Sequence, residues 1–109
     1  MRVIFAPEVL SYFNALVGIL YDKGYFGFKD SAFSYVGNLL EDIHDNLHLK
    51  VKSPAPAYFE RYGQKLLYSV FKSSTATRWY VFYNVYKVDG EQVFLIKYIA
   101  NNHSIAKFL

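Results

Sequence analysis

His103 is the side chain in this sequence best suited to moving a proton. Imidazole ordinarily changes charge nearest neutral pH, and His103 stands just behind an apolar run, Val93 to Ala100, that reads as a strand. Two cations are candidates for the same neighbourhood. Arg78 opens a long run of β formers, Arg78 to Lys87, and its planar guanidinium suits two phosphate oxygens at once. Lys72 closes the preceding run, Leu66 to Lys72, and would add a second positive charge. One acid–base group with two cations is a set that can move protons and neutralise charge building up on a phosphate ester. Each residue also has a plainer role open to it. His103 would cap a turn, Arg78 would be an ordinary strand-start cation, and Lys72 would blunt a sheet edge.

Three further residues are candidate substrate contacts. Tyr80 shares a strand face with Arg78, where its ring would stack on a planar ligand or sink into the core. Lys97 lies within the last strand. Strict alternation would put it on one face with Ile99 and Asn101, and put Tyr98, Ala100 and Asn102 on the other. Asn102 directly precedes His103.

Other chemistries find less support. There is no Cys, hence no disulfide, thiol nucleophile or thiolate metal site. His44 and His48 are four apart with Asp45 between them, a spacing that can hold a metal, but no further ligand set accompanies them and a solvated helix face accounts for them better. Gly18, Gly24, Gly27 and Gly37 are scattered, so no phosphate-binding glycine loop is formed. No metal and no cofactor are expected. Formal net charge is +3 with a pI near 9.0, a mild bias toward polyanionic partners. Aromatic residues reach 20%, with 11 Tyr and 10 Phe, which suits a small core and half-exposed stacking surfaces.

The elements that must position these residues follow from pattern. Arg2 to Phe5 reads as an edge or opening strand. Pro7 starts a helix reaching about Tyr21, with Val9, Leu10, Phe13, Leu16, Val17 and Leu20 as its apolar stripe and Gly24 as its stop. A second helix has Asp30 as its expected cap and Phe33, Val36, Leu40, Ile43 and Leu47 as its stripe. About six residues join the two, favouring an antiparallel helical hairpin. Ser53-Pro54-Ala55-Pro56 breaks the helical pattern, and Tyr58 to Gly63 reads as an irregular turn or short strand. Three strands then follow, the last two joined by a tight turn at Asp89-Gly90. The tail from Asn101 to Leu109 closes with a turn or a helical fragment. The expected fold is α+β over residues 1–109 as a single domain: a small antiparallel sheet in β-α-α-β-β-β order with an N-terminal helical hairpin on one face. The opening residues lack the apolar stretch of a signal peptide, and Val9 to Tyr21 is too short to span a bilayer, so a soluble cytoplasmic protein without a membrane partner is expected.

That element order resembles the RelE/ParE superfamily of toxins from bacterial type II toxin–antitoxin systems. The resemblance covers nearly the whole chain in order and is specific from about Leu66 onward. Lys65 to Lys72 is similar to the family's "glyklRyr" strand, and Arg78 to Tyr86 to the strand in which aromatic and aliphatic residues follow a basic one. Val93 to Ile99 then leads to Asn101-Asn102-His103, where family members switch from an apolar strand to Lys, Arg or His. The chain departs from RelE-type members in its low net charge and in lacking a Lys/Arg cluster after the last strand.

The resemblance implies a toxin neutralised by a cognate antitoxin protein. RelE- and HigB-like members are mRNA interferases that cleave messenger RNA on the ribosome, with the RNA's own 2′-hydroxyl as nucleophile and no metal. ParE-like members bind DNA gyrase and cleave nothing. A toxin-like interaction module without activity is a third expectation. For an endoribonuclease, His103, Arg78 and Lys72 are the expected catalytic set, with Tyr80, Lys97 and Asn102 contacting RNA. Fold alone does not choose among the three.

Overall fold

The computed structural model describes residues 1–24, 26–105 and 108–109. Tyr25 of the helix–helix connection and Ala106 and Lys107 of the closing tail lie outside the described residues. The protein is a mixed α/β structure on a five-stranded open sheet. In chain order the elements are β1 (Arg2–Phe5), α1 (Pro7–Asp22), α2 (Lys29–Asn46), β2 (Ser53–Pro54), β3 (Leu67–Lys72), β4 (Arg78–Val88), β5 (Glu91–Asn101) and α3 (Asn102–Ile105). Short 3₁₀ segments at Leu47–Leu49 and Ala57–Tyr62 flank β2.

The sheet runs β1-β5-β4-β3-β2. It is antiparallel from β2 to β5, but β1 lies parallel to β5, with Arg2 opposite Val93 and Phe5 opposite Ile96. The wholly antiparallel sheet expected from sequence is therefore corrected. Between β1 and β5 the chain passes through both long helices and three other strands, so no local turn dictates their relative direction.

Two cores form on the two faces of the sheet. Val9, Phe13 and Leu16 of α1 and Val36, Leu39 and Ile43 of α2 pack against Phe71, Trp79, Val81, Tyr83, Phe94, Ile96 and Ile99. On the other face Phe59 of the second 3₁₀ segment is fully buried and stacks on Phe82 at 4.3 Å, joined by Leu66, Ala100 and Ile105. The segment expected as a turn or short strand from Tyr58 is thus helical over Ala57–Tyr62 and plugs the second face.

Two details of α2 also differ from expectation. The helix begins at Lys29, so Phe28 occupies the cap position without a side-chain bond, and Asp30 sits in the first turn, where its charge favours the helix dipole instead. Its buried stripe is Ala32, Val36, Leu39 and Ile43, leaving Phe33 70% exposed. A small alanine lets α2 approach closely, and that rotation turns Phe33 outward.

The β4–β5 connection carries the chemistry of a two-residue hairpin. Asp89 and Gly90 have φ of 52° and 79°, both positive, which a type I′ turn requires. Beyond its two chain neighbours, no atom of the described residues stands within 4 Å of where a Cβ on Gly90 would lie, so backbone strain sets the cost of a side chain there. Gly90→Ala is expected to lower unfolding free energy by about 1 to 2 kcal/mol, read from the urea midpoint, while β4 and β5 keep their register.

Candidate functional site: the end of the sheet around the β3–β4 loop

Lys72 ends β3 and Arg78 begins β4, and the two are direct cross-strand partners. Their Cα atoms are therefore about 5 Å apart and their side chains share a face. Since Phe71 and Trp79 point to the helices, Lys72 and Arg78 project from the opposite face, together with Tyr80, Tyr68 and Phe82. Both cations are exposed, and the Tyr80 and Tyr68 rings stand 6.0 Å apart beside them, half-buried.

The loop between the strands is tightly organised. Ser73 N–H donates to the Thr77 carbonyl, and Ser74 Oγ accepts from the Ala76 and Thr77 N–H groups. A relay anchors this loop to the helices. Trp79 Nε1 donates to the Tyr35 hydroxyl at 2.9 Å, which lies 2.7 Å from Ser73 Oγ. Asn102 anchors it to α3: its Oδ1 accepts from the Arg78 N–H at 2.9 Å and its Nδ2 donates to the Ala76 carbonyl. Asn102 is thus occupied as a brace between loop and helix.

His103 follows, exposed, with Nε2 3.4 Å from Thr77 Oγ1 and its own N–H donating to Asn101 Oδ1. The ring therefore sits beside the residue that precedes Arg78. The structure brings Lys72, Arg78, Asn102 and His103 to one end of the sheet. Tyr80 lies one step inward on the face of Arg78, opposite Ala100.

Lys97 is elsewhere. Phe82 pairs with Tyr98 and Tyr83 with Ile96, so Lys97 is the extra residue of a β-bulge. Alternation fails there, and Lys97 does not share the face of Ile99. Its aliphatic stem lies over Gly63, where a Cβ would meet it at 3.0 Å. Beside it Tyr98 stacks on Tyr62 at 3.7 Å, the rings nearly parallel.

Lys97 and His103 line a groove of about 1270 Å³ that follows β5 between α1 and the second 3₁₀ segment, with Tyr12, Arg61, Tyr62, Trp79 and Thr77 also in its walls. Lys72, Arg78, Tyr80 and Asn102 are not among its lining residues. His103 is therefore at the boundary between two surfaces, the cationic end of the sheet and the groove. Sequence reasoning missed the groove and its aromatic pair; the signal available was the run of Tyr residues, which carries no facing by itself.

The charges between Glu60 and Asp89 are of one sign. Residues 61–88 carry Arg61, Lys65, Lys72, Arg78 and Lys87 and no Asp or Glu, whereas α2 carries Asp30, Glu41, Asp42 and Asp45. Among the described residues no carboxylate pairs with Lys72, Arg78, Lys97 or His103; the ion pairs are Glu91 with the N-terminus and Arg2, and His44 with Asp45. The +3 net charge thus understates the local positive potential of the sheet. No group of His, Asp and Glu among the described residues could hold a metal ion, and no helix among them is long and apolar enough to cross a membrane.

Burial first, and then the Tyr62 hydroxyl, push the phenol of Tyr98 well above its ordinary range. The folded protein therefore holds this proton more tightly than the unfolded chain does. The corresponding stabilisation is fully present below the ordinary phenol value of 10.0 and is lost as pH rises toward the folded value. Urea midpoints are expected to fall above that pH, and Tyr98→Phe is expected to flatten this part of the fall.

Comparison of the chain with protein-family models, with curated proteins and with solved structures found no match.

Proposed function

We propose that this protein is a RelE/HigB-like toxin of a type II toxin–antitoxin pair, cleaving messenger RNA on the ribosome without a metal. The observation that carries the proposal is the pairing of Lys72 with Arg78 at the end of a sheet, with His103 one loop residue away and no acidic side chain in residues 61–88. Support for the finer fold assignment, a strand, a helical hairpin on one face and then a meander of strands, comes from the burial of α1 and α2 against the same sheet residues.

In this reaction the RNA 2′-oxygen attacks the adjacent phosphorus as its proton leaves, and the bond from phosphorus to the 5′-oxygen breaks as that oxygen takes up a proton. Arg78 and Lys72 neutralise the charge that gathers on the equatorial oxygens. His103 handles the proton. Tyr80 offers a ring for a base to stack on, Asn102 holds the loop that leads into Arg78, and Lys97, farther along β5 in the groove, offers a cation to a more distant RNA phosphate. The partners are ribosome-bound mRNA and a cognate antitoxin that covers this surface, and the compartment is the cytoplasm.

A second reading is a ParE-like DNA gyrase inhibitor, or a toxin-like module that only binds. It draws on one feature: His103 lines the groove while Arg78 and Lys72 do not. Induction of the wild type and of His103→Ala in bacteria, followed by mapping of transcript 5′ ends, separates these. New ends within coding sequence, seen with the wild type and lost in the variant, are expected. Intact transcripts with the wild type remove the endonuclease, and blocked supercoiling by the purified protein then identifies the gyrase inhibitor.

A further inference from the structure

We infer that the outer edge of β5 from Lys97 to Asn101 is a docking edge for an extended, acidic peptide segment of a partner protein, which joins the sheet as a further strand. β1 covers β5 only as far as Phe5 opposite Ile96, where the Ala6 N–H makes the last bond, to the Ile96 carbonyl. Pro7 then turns the chain away into α1. On its other side β5 stays paired with β4 out to Asn101 opposite Trp79. Among the described residues, no strand pairs with the outer side of Lys97–Asn101. An edge of this kind presents N–H and C=O groups at alternate residues, a template that an incoming strand satisfies and a helix does not; the Asn101 carbonyl, which already accepts from Ser104 Oγ, marks the end of that template.

The groove described above lies along this edge, so a strand added there would run between α1 and Tyr62 instead of over open solvent. Its walls name the chemistry of the occupant. Lys23, Arg61 and Lys97 line it together with His103, against a single carboxylate among the described residues, Glu8. Val9, Leu16 and Leu20 supply an apolar side. A segment alternating acidic with aliphatic residues satisfies both walls, because successive side chains of a strand point to opposite sides. A second copy of this chain fits poorly. Two such edges would bring their cations together, and the other sheet edge, β2, carries Pro54, which has no N–H to give. The bulge at Lys97 completes the device. A bulge and an inserted lysine deter indiscriminate strand pairing, and a partner bringing negative charge is exempt from that deterrent.

This inference does not rest on RNA cleavage, and its test uses no RNA. The probe is a synthetic peptide alternating glutamate and valine, added to the full chain and followed by fluorescence anisotropy and by backbone amide exchange. The expected results are saturable binding, slowed exchange at alternate amides within 97–101, and affinity that falls with salt. N-methylation of alternate peptide amides and the Lys97→Glu variant should each weaken binding by about tenfold or more, with Arg61→Glu as the second charge variant should Lys97→Glu prove unfolded. Absence of binding, equal binding of a lysine–valine peptide, or undiminished binding of the N-methylated probe would overturn it.

Discussion

Trp79→Ala is expected to remove about 3 to 5 kcal/mol of unfolding free energy, a large part of the ~5 to 15 kcal/mol typical of a domain. Trp79 is 1% exposed and sits where β4 meets both long helices. Truncation leaves a cavity among close-packed neighbours that relax only in part. The indole does more than fill space. Its Nε1 donates to the Tyr35 hydroxyl, which in turn reaches Ser73 in the β3–β4 loop. Trp79→Phe keeps most of the volume and removes the donor, so a smaller loss of about 1 to 2 kcal/mol is expected, with faster amide exchange in residues 73–77. Urea denaturation followed by circular dichroism measures both variants. A Trp79→Ala midpoint equal to that of the wild type would show that α2 and β4 do not depend on this contact.

Arg78→Ala is the second large effect, and it lies in activity instead of stability. The side chain is exposed and, among the described residues, joins no ion pair, so unfolding free energy should stay within about 0.5 kcal/mol of the wild type. If Arg78 neutralises the phosphorane, its removal should slow cleavage by about 10²-fold or more, the scale seen when one transition-state donor is lost. Arg78→Lys separates charge from geometry: it retains the cation but not the fork, and a residual defect of about tenfold is expected. Lys72→Ala should act in the same direction and more weakly, since an ammonium gives a point charge without bidentate bonding. Equal cleavage by Arg78→Ala and the wild type would move the site away from the sheet end, toward the groove that His103 lines.

Local chemistry was legible in the sequence where short-range rules act alone. The Asp89-Gly90 turn, the start of α1 at Pro7 and the opening of β4 at Arg78 each depend on a few neighbouring residues, and each is found where those residues put it. The facing of α2 was not legible, because Ala32 and Leu39 are buried only through the close approach of sheet and α1, and Phe33 is apolar without being inside. The direction of β1 was hidden for a related reason: its partner is β5, at the far end of the chain.

The candidate site divides along the same line. That Lys72 and Arg78 are neighbours follows from two strands joined by a short polar turn. That Asn102 braces Arg78, and that Lys97 leaves its face through a bulge, depends on register across β4 and β5, which periodicity cannot reveal. The groove arises where one strand ends earlier than its neighbour, so no local pattern marks it.

The central claim is that the protein cuts RNA by recruiting the substrate's own 2′-hydroxyl to a cationic sheet end. The direct measurement incubates purified protein with ribosomes programmed by an mRNA of known sequence, and compares it with the same mRNA carrying a single 2′-deoxy nucleotide at the cleaved position. Cutting of the first, leaving a 5′-hydroxyl end, and survival of the second is the predicted result. Cutting of both would contradict it, and so would cutting of neither.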